Sequence, residues 1–304
     1  MELDKEEKEK VEEALGTDAG RNKELMEEVS RLREIVEGYA KERREYIIEQ
    51  RKPSNTLRFA LTGDSHIGSL YERVDALEKF YKTCKDEGIT EIYNAGDVID
   101  GHKMYRGMEF EQYAHGYDAQ AKAFQEKFPK IEGIRTIFVT GNHDASYQKE
   151  VGANIGNRLQ ELRPDCQCIG ADYGRVVMFT KQKRPFTLHL FHPSGGSSYA
   201  ISYRSQKLVE SLPGGLKPNM IAIGHFHKAE WLPQYRNVST FQVGCFQSQT
   251  PFMARKPTPA HMGGWIIEVV IGKREELVMR VKGEFISFYE PGEVEEIKME
   301  IKEK

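Results

Sequence analysis

The chain has 304 residues, 39% hydrophobic and 10% aromatic, enough to bury a sizeable core in one large domain with an appendage. The first 50 residues hold 16 acids and 10 bases; that −6, set against −3 for the whole chain, leaves +3 on the remainder. A body this close to neutral excludes the strong basic field of a protein that holds nucleic acid by charge alone, and the longest apolar stretch, "GWIIEVVIG", is too short and too interrupted by Glu268 to cross a membrane.

The opening "MELDKEEKEK" has no apolar run of the kind a secretory leader needs. Cys84, Cys166, Cys168 and Cys245 are too few for a disulfide framework in a chain of this length, so reduced thiols and a cytoplasmic location are expected. Residues 1–52 read as helix. Leu25, Val29, Leu32, Val36 and Tyr39 follow the 4, 3, 4, 3 spacing of a coiled-coil seam, and Tyr46 extends it. Such a seam serves a helix lying on the body, homo-oligomerisation, or a partner-binding arm; the spacing does not choose among them. Pro53-Ser54-Asn55 ends the helix. The expected division is a charged helical arm over 1–56 and a second domain over 57–304.

From residue 57 short apolar strands alternate with amphipathic helices. Val74, Leu77, Phe80, Tyr81 and Cys84 share one face of a helix over 71–87. "GITEIYNAGD" and "RTIFVTGNHD" read as strands, with helices expected over 117–129 and 150–162. After residue 170 strands dominate: "RVVMFT", "FTLHLFH", "MIAIGH", "STFQVG", "GWIIEVVI" and "ELVMRVKGEFIS". The fold class is therefore α/β in the first half and strand-rich in the second. Near the C-terminus, "IKMEIK" alternates like an edge strand.

Five of these runs end in polar tips: Asp64-Ser65-His66, Asp97, Asn142-His143-Asp144, His192, and His225-Phe226-His227. Four of the five place a glycine just before the first polar residue, where the backbone can turn sharply and approach a ligand. Loops at the carboxyl ends of neighbouring strands converge, so three aspartates, one asparagine and five of the nine histidines reach one sheet edge. Mixed imidazole and carboxylate donors suit first-row transition ions. The set is too large for a single tetrahedral ion and suits two with a shared carboxylate, the clamp used for in-line displacement at phosphorus. Two divalent ions outweigh two aspartates and a bridging hydroxide, so the site attracts an anionic phosphate. Manganese is the first expectation; iron, zinc and nickel accept the same donors. His189, mid-strand, is read as packed, and His102, His115 and His261 are unassigned.

The ordered set D-x-H (Asp64, His66), G-D (Gly96, Asp97), G-N-H-D (Gly141 to Asp144), a lone His192 and G-H-x-H (Gly224, His225, His227) resembles the calcineurin-like metallophosphoesterase superfamily over about residues 58–228. The D-x-H-x-G pattern of "DSHIG" looks most like its DNA-repair exonuclease branch. The resemblance implies a two-sheet sandwich flanked by helices in four layers. It implies that Asp64, His66 and His227 hold one ion, that Asn142, His192 and His225 hold the second, and that Asp97 bridges. A hydroxide activated between the ions would attack phosphorus, with His143 near the leaving-group oxygen and Asp100 orienting His143; Asp144 competes for that last task. Gly101 stands where the protein-phosphatase branch carries an arginine, which points away from phosphoproteins. Tyr105, Arg106 and Arg204 lie in loops after these tips and are expected to contact substrate, with Arg255 and Lys256 as a further wall. The expected activity is hydrolysis of a phosphodiester of nucleic acid or nucleotide. A phosphomonoesterase, or a non-catalytic scaffold of the same fold, is the alternative.

Overall fold

A computed structural model describes residues 45–288 except 50–53, 182–184, 197, 214, 216, 259 and 274–278. The seam Leu25 to Tyr39 and the "IKMEIK" tail lie outside the described residues. Twelve strands among the described residues form two six-stranded sheets. The first sheet runs β1 (Glu45–Glu49), β6 (Tyr173–Phe179), β7 (Pro185–Phe191), β8 (Met220–Ile223), β10 (Val238–Val243), β9 (Ala229–Tyr235). The second runs β12 (Met279–Ser287), β11 (Gly263–Ile271), β2 (Thr56–Thr62), β3 (Glu91–Asn94), β4 (Arg135–Thr140), β5 (Cys166–Ala171). Strands β2 to β5 are parallel, as are β7, β8 and β10; β11 and β12 pair antiparallel at one edge.

Strand alternation builds the layers. Leu57, Phe59 and Leu61 of β2 face Phe186, Leu188 and Leu190 of β7 in a core between the sheets, which also takes Met220 and Ala222 of β8. The intervening Ala60 faces outward to helices α1 (Val74–Asp86), α2 (Tyr117–Lys127) and α4 (Ile155–Leu162), whose Leu77, Phe80, Phe124 and Leu159 form a second core. On the far side Ile221 and Ile223 of β8 pack on Val209 of α5 (Tyr203–Ser211). Each fully buried Leu, Ile or Phe stabilises by about 1.5–3 kcal/mol. The result is the expected two-sheet sandwich with helices outside. His189 is 6% exposed on β7, beside the Tyr173 hydroxyl, and so is packed. The four cysteines are buried and form no disulfide; burial pushes the Cys84 and Cys166 thiols up to about 12.

Two expectations are corrected. The helix expected over 1–52 does not extend through 45–49: "EYIIE" is strand β1, paired in parallel with β6 from Glu45 opposite Arg175 to Glu49 opposite Phe179. Its aromatic and branched residues suit a pleated surface, and Tyr46 packs against the inter-sheet core, so pairing overrides the helical spacing. The helix expected over 150–162 is two: α3 (Ser146–Val151) stops at Gly152, whose φ of 70° is left-handed, and α4 restarts under an Asn154 cap that accepts from Asn157 N at 3.0 Å.

Candidate metal centre

Strands β2, β3, β4, β7 and β8 run directly into the five polar tips, and all five tips meet at one rim of the sandwich. Asp64, His66, Asp97, His225 and His227 have φ of 51°, 45°, 50°, 78° and 52°. A left-handed backbone costs a non-glycine residue about 1–3 kcal/mol and persists only where the surroundings fix it. Here main-chain bonds fix it: Asp64 N donates to Gly96 O at 2.9 Å, His66 N to Asp97 O at 3.1 Å, and His225 N to Asp64 Oδ1 at 2.8 Å. Glycine is required for the close approach at Gly141, where a Cβ would lie 2.2 Å from Asp97 Oδ1 and 2.7 Å from His192 Cε1.

The donors fall into two sets. In one, His66 Nε2 lies 3.1 Å from His227 Nε2, which lies 3.4 Å from Asp64 Oδ1. In the other, Asn142 Oδ1 lies 2.7 Å from His225 Nδ1 and 3.1 Å from His192 Nε2. Asp97 Oδ2 lies 3.0 Å from His192 Nε2 and 3.9 Å from His66 Nε2, so one oxygen faces both sets. In this second set the outer nitrogens are already committed. His192 Nδ1 donates to Ala95 O at 2.7 Å, and His225 Nε2 donates to Gly195 O at 2.6 Å. In the neutral rings the inner nitrogens therefore turn lone pairs toward Asn142 Oδ1 and Asp97 Oδ2. Facing lone pairs repel unless a cation or a proton sits among them. The residues fit a pair of divalent ions.

The titration behaviour has the same cause. Burial lowers His66, His225 and His227, keeping them neutral, and pushes Asp64 well up. Burial alone would lower His192, but Asp97 beside it wins and raises it to about 10. Burial would likewise raise Asp97, yet the imidazoles of His192 and His143 hold it well below the usual carboxylate range.

Asp100 and Asp144 do different work from that expected. His143 Nδ1 donates to the main-chain O of Asp100 at 2.5 Å, not to its carboxylate. The Asp100 carboxylate instead lies 3.2 Å, through Oδ1, from His66 Nδ1, on an approach too oblique for a straight hydrogen bond. Asp144 accepts from Gly141 N at 2.8 Å, Ile99 N at 2.9 Å and Val98 N at 3.1 Å, tying two rim loops together.

A cleft of about 550 Å³ opens over both donor sets and is lined by His143 and Tyr105. Tyr105 stacks on Phe252 of α6 (Pro251–Arg255), with centroids 4.2 Å apart and planes 13° apart. Arg106 is exposed and does not line the cleft. Neither does Arg204: its Nη2 donates to Ser194 O at 2.6 Å, bracing the loop whose Gly195 holds His225. Of the two basic residues read as a wall, Lys256 lines the cleft and Arg255 does not. The sequence singles out the basic pair Arg255 and Lys256 of this wall but not Phe252 and Met253, nor Gln112 and Gln247. An apolar pair at the start of a short helix carries no motif, and a glutamine has no periodicity to betray it.

A family model for calcineurin-like phosphoesterases matches residues 57–229. The chain belongs to the calcineurin-like phosphoesterase family. Among solved structures it is similar to Vps29 of Chaetomium thermophilum, at 13% identity over 77% of this chain and 100% of that one, with a TM-score of 0.35. It is similar to the Pseudomonas putida nuclease MPE at 14% identity over 62% of this chain and 75% of that one, TM-score 0.31. A 5′-nucleotidase from Candida albicans is 12% identical over 76% of this chain and 51% of that one, TM-score 0.39. No curated protein matches the chain. Among the described residues no helix is long and apolar enough to cross a membrane.

Proposed function

We propose that the protein is a two-metal-dependent phosphodiesterase acting on a nucleic acid or nucleotide, with residues 57–304 as the catalytic domain. The observation that carries the reading is the pair of donor sets sharing Asp97 Oδ2 on the floor of the cleft. Asp64, His66 and His227 would hold one ion, Asn142, His192 and His225 the other, and Asp97 both. Manganese is the first ion expected, and the same donors accept iron, zinc or nickel. When bound, such ions neutralise phosphoryl oxygens and lower the pKa of water.

The chain's own part is positional and acid–base. The Asp100 carbonyl accepts from His143 Nδ1 and so orients the ring, leaving Nε2 for the cleft. Protonated there, His143 stands in the cleft as the donor to a departing alkoxide. The aromatic wall of Tyr105 and Phe252, with Lys256 beside it, suits a planar base joined to a phosphate.

Hydrolysis of bis(p-nitrophenyl) phosphate and p-nitrophenyl phosphate with manganese, followed by single-stranded and duplex DNA and RNA, tests the reading. Turnover of the diester is expected. Exclusive turnover of the monoester overturns the diesterase assignment in favour of a phosphomonoesterase. Inactivity on every substrate, unchanged by His143→Ala, favours a scaffold.

A further inference from the structure

A chain of polar contacts leads from the cleft wall to His66. Gln112 follows the 3-10 turn Met108–Glu111 and is 7% exposed. Its Nε2 donates to Asp100 Oδ2 at 2.7 Å and to Gly101 O at 3.0 Å. The other carboxylate oxygen of Asp100, itself 3% exposed, lies 3.2 Å from His66 Nδ1. A carboxylate in that position favours the proton on Nδ1 and leaves the Nε2 lone pair for the inner face, where His227 Nε2 is 3.1 Å away. Gln112 is also fastened to the wall. Tyr105 donates its hydroxyl to Glu111 Oε2 at 2.7 Å, one residue before Gln112. The main chain of Gln112 bridges Ser69, whose Oγ accepts from the cleft residue Gln247 at 3.1 Å.

We propose that Gln112 is a positioning residue for the donor set of Asp64, His66 and His227. It fixes the Asp100 carboxylate and, through it, the ring of His66, so the cleft loop of residues 101–118 sets the affinity of one ion position without touching the ion. The inference rests on the ion-holding role proposed for His66. A glutamine that merely filled space could be replaced by an apolar residue of similar size without consequence for the ions. A glutamine that donates to Asp100 cannot.

Calorimetric titration of the full chain with Mn²⁺ tests this. The parent is expected to show two binding events. Gln112→Leu weakens one of them by about 10- to 100-fold and leaves the other unchanged. Asp100→Asn weakens the same event, and the double variant loses no more than the more severe single one, because the two residues act as one unit. Gln112→Glu removes the donating nitrogen and keeps the shape, so it gives the same selective loss and replaces the leucine variant should that fail to fold. Parent-like titrations for all variants, or equal weakening of both events, overturn the inference and leave the two-ion reading standing. A parent that takes up no ion overturns both.

Discussion

Asp97 is the residue on which the site turns, because its Oδ2 faces an imidazole of each donor set. Without an ion, a proton relieves the crowding of lone pairs, which is why His192 is raised to about 10. Below about 10 an ion must displace that proton, so affinity falls as pH falls, and loading at neutral pH releases protons. Calorimetry in buffers of different ionisation enthalpy is expected to show net proton release on Mn²⁺ binding; an uptake of protons would contradict it. His143 is a separate case. It lines the cleft but belongs to neither set that shares Asp97, and its ring is held by a main-chain carbonyl that no side-chain change removes. His143→Ala is expected to lower kcat by about 10²- to 10⁴-fold with unchanged ion stoichiometry and melting temperature. Its place after the glycine and asparagine of G-N-H-D was legible in the sequence. The task of the Asp100 carboxylate was not, because which imidazole a carboxylate meets depends on how two loops cross, and spacing carries no information about that.

At the scale of the element, the strand ends were the readable part. An apolar run that stops at a glycine and then an acid, amide or imidazole marks a buried strand delivering a donor to a rim, and β2, β3, β4 and β8 each end that way. The glycines act through space as well as through turning. At Gly141 a methyl group would meet Asp97 Oδ1 at 2.2 Å and Asp97 N at 2.6 Å, with neither able to retreat from a packed rim. Gly141→Ala is therefore expected to cost about 1–3 kcal/mol or more and to remove Mn²⁺ binding. Gly215→Ala, which meets nothing within 4 Å, is the control and is expected to behave as the parent in melting and metal uptake. Elements whose form depends on distant pairing were less readable. Strand β1 carries residues that also satisfy a helical spacing, and only its register on β6 decides the matter. The same holds for β5, where the alternation of "CQCIGA" breaks at Ile169 after three residues and the strand is fixed by pairing with β4.

Over the whole molecule, the two sheets contribute different halves of one site. Asp64, His66, Asp97 and Asn142 follow strands of one sheet, and His192, His225 and His227 follow strands of the other. Protein contacts already cross the rim, as where His225 N donates to Asp64 Oδ1 at 2.8 Å and Oδ2 at 3.0 Å. Both donor sets draw on both sheets, so an ion in either position would join the sheets at this end while the apolar core joins them along their faces. Separating the sheets then means giving up the ion, and binding to the folded chain alone stabilises it by mass action. At a free concentration about 100 times Kd one site contributes about 2.7 kcal/mol. For a domain of this size a kcal/mol moves Tm by roughly 2–4 °C. Mn²⁺ is thus expected to raise Tm by about 5–10 °C, with the increment growing with concentration and disappearing in chelator. Asp97→Asn should remove most of the increment, since the residue it replaces faces both sets. A variant that keeps the full increment would mean that the ions bind elsewhere and that the rim is closed by protein contacts alone.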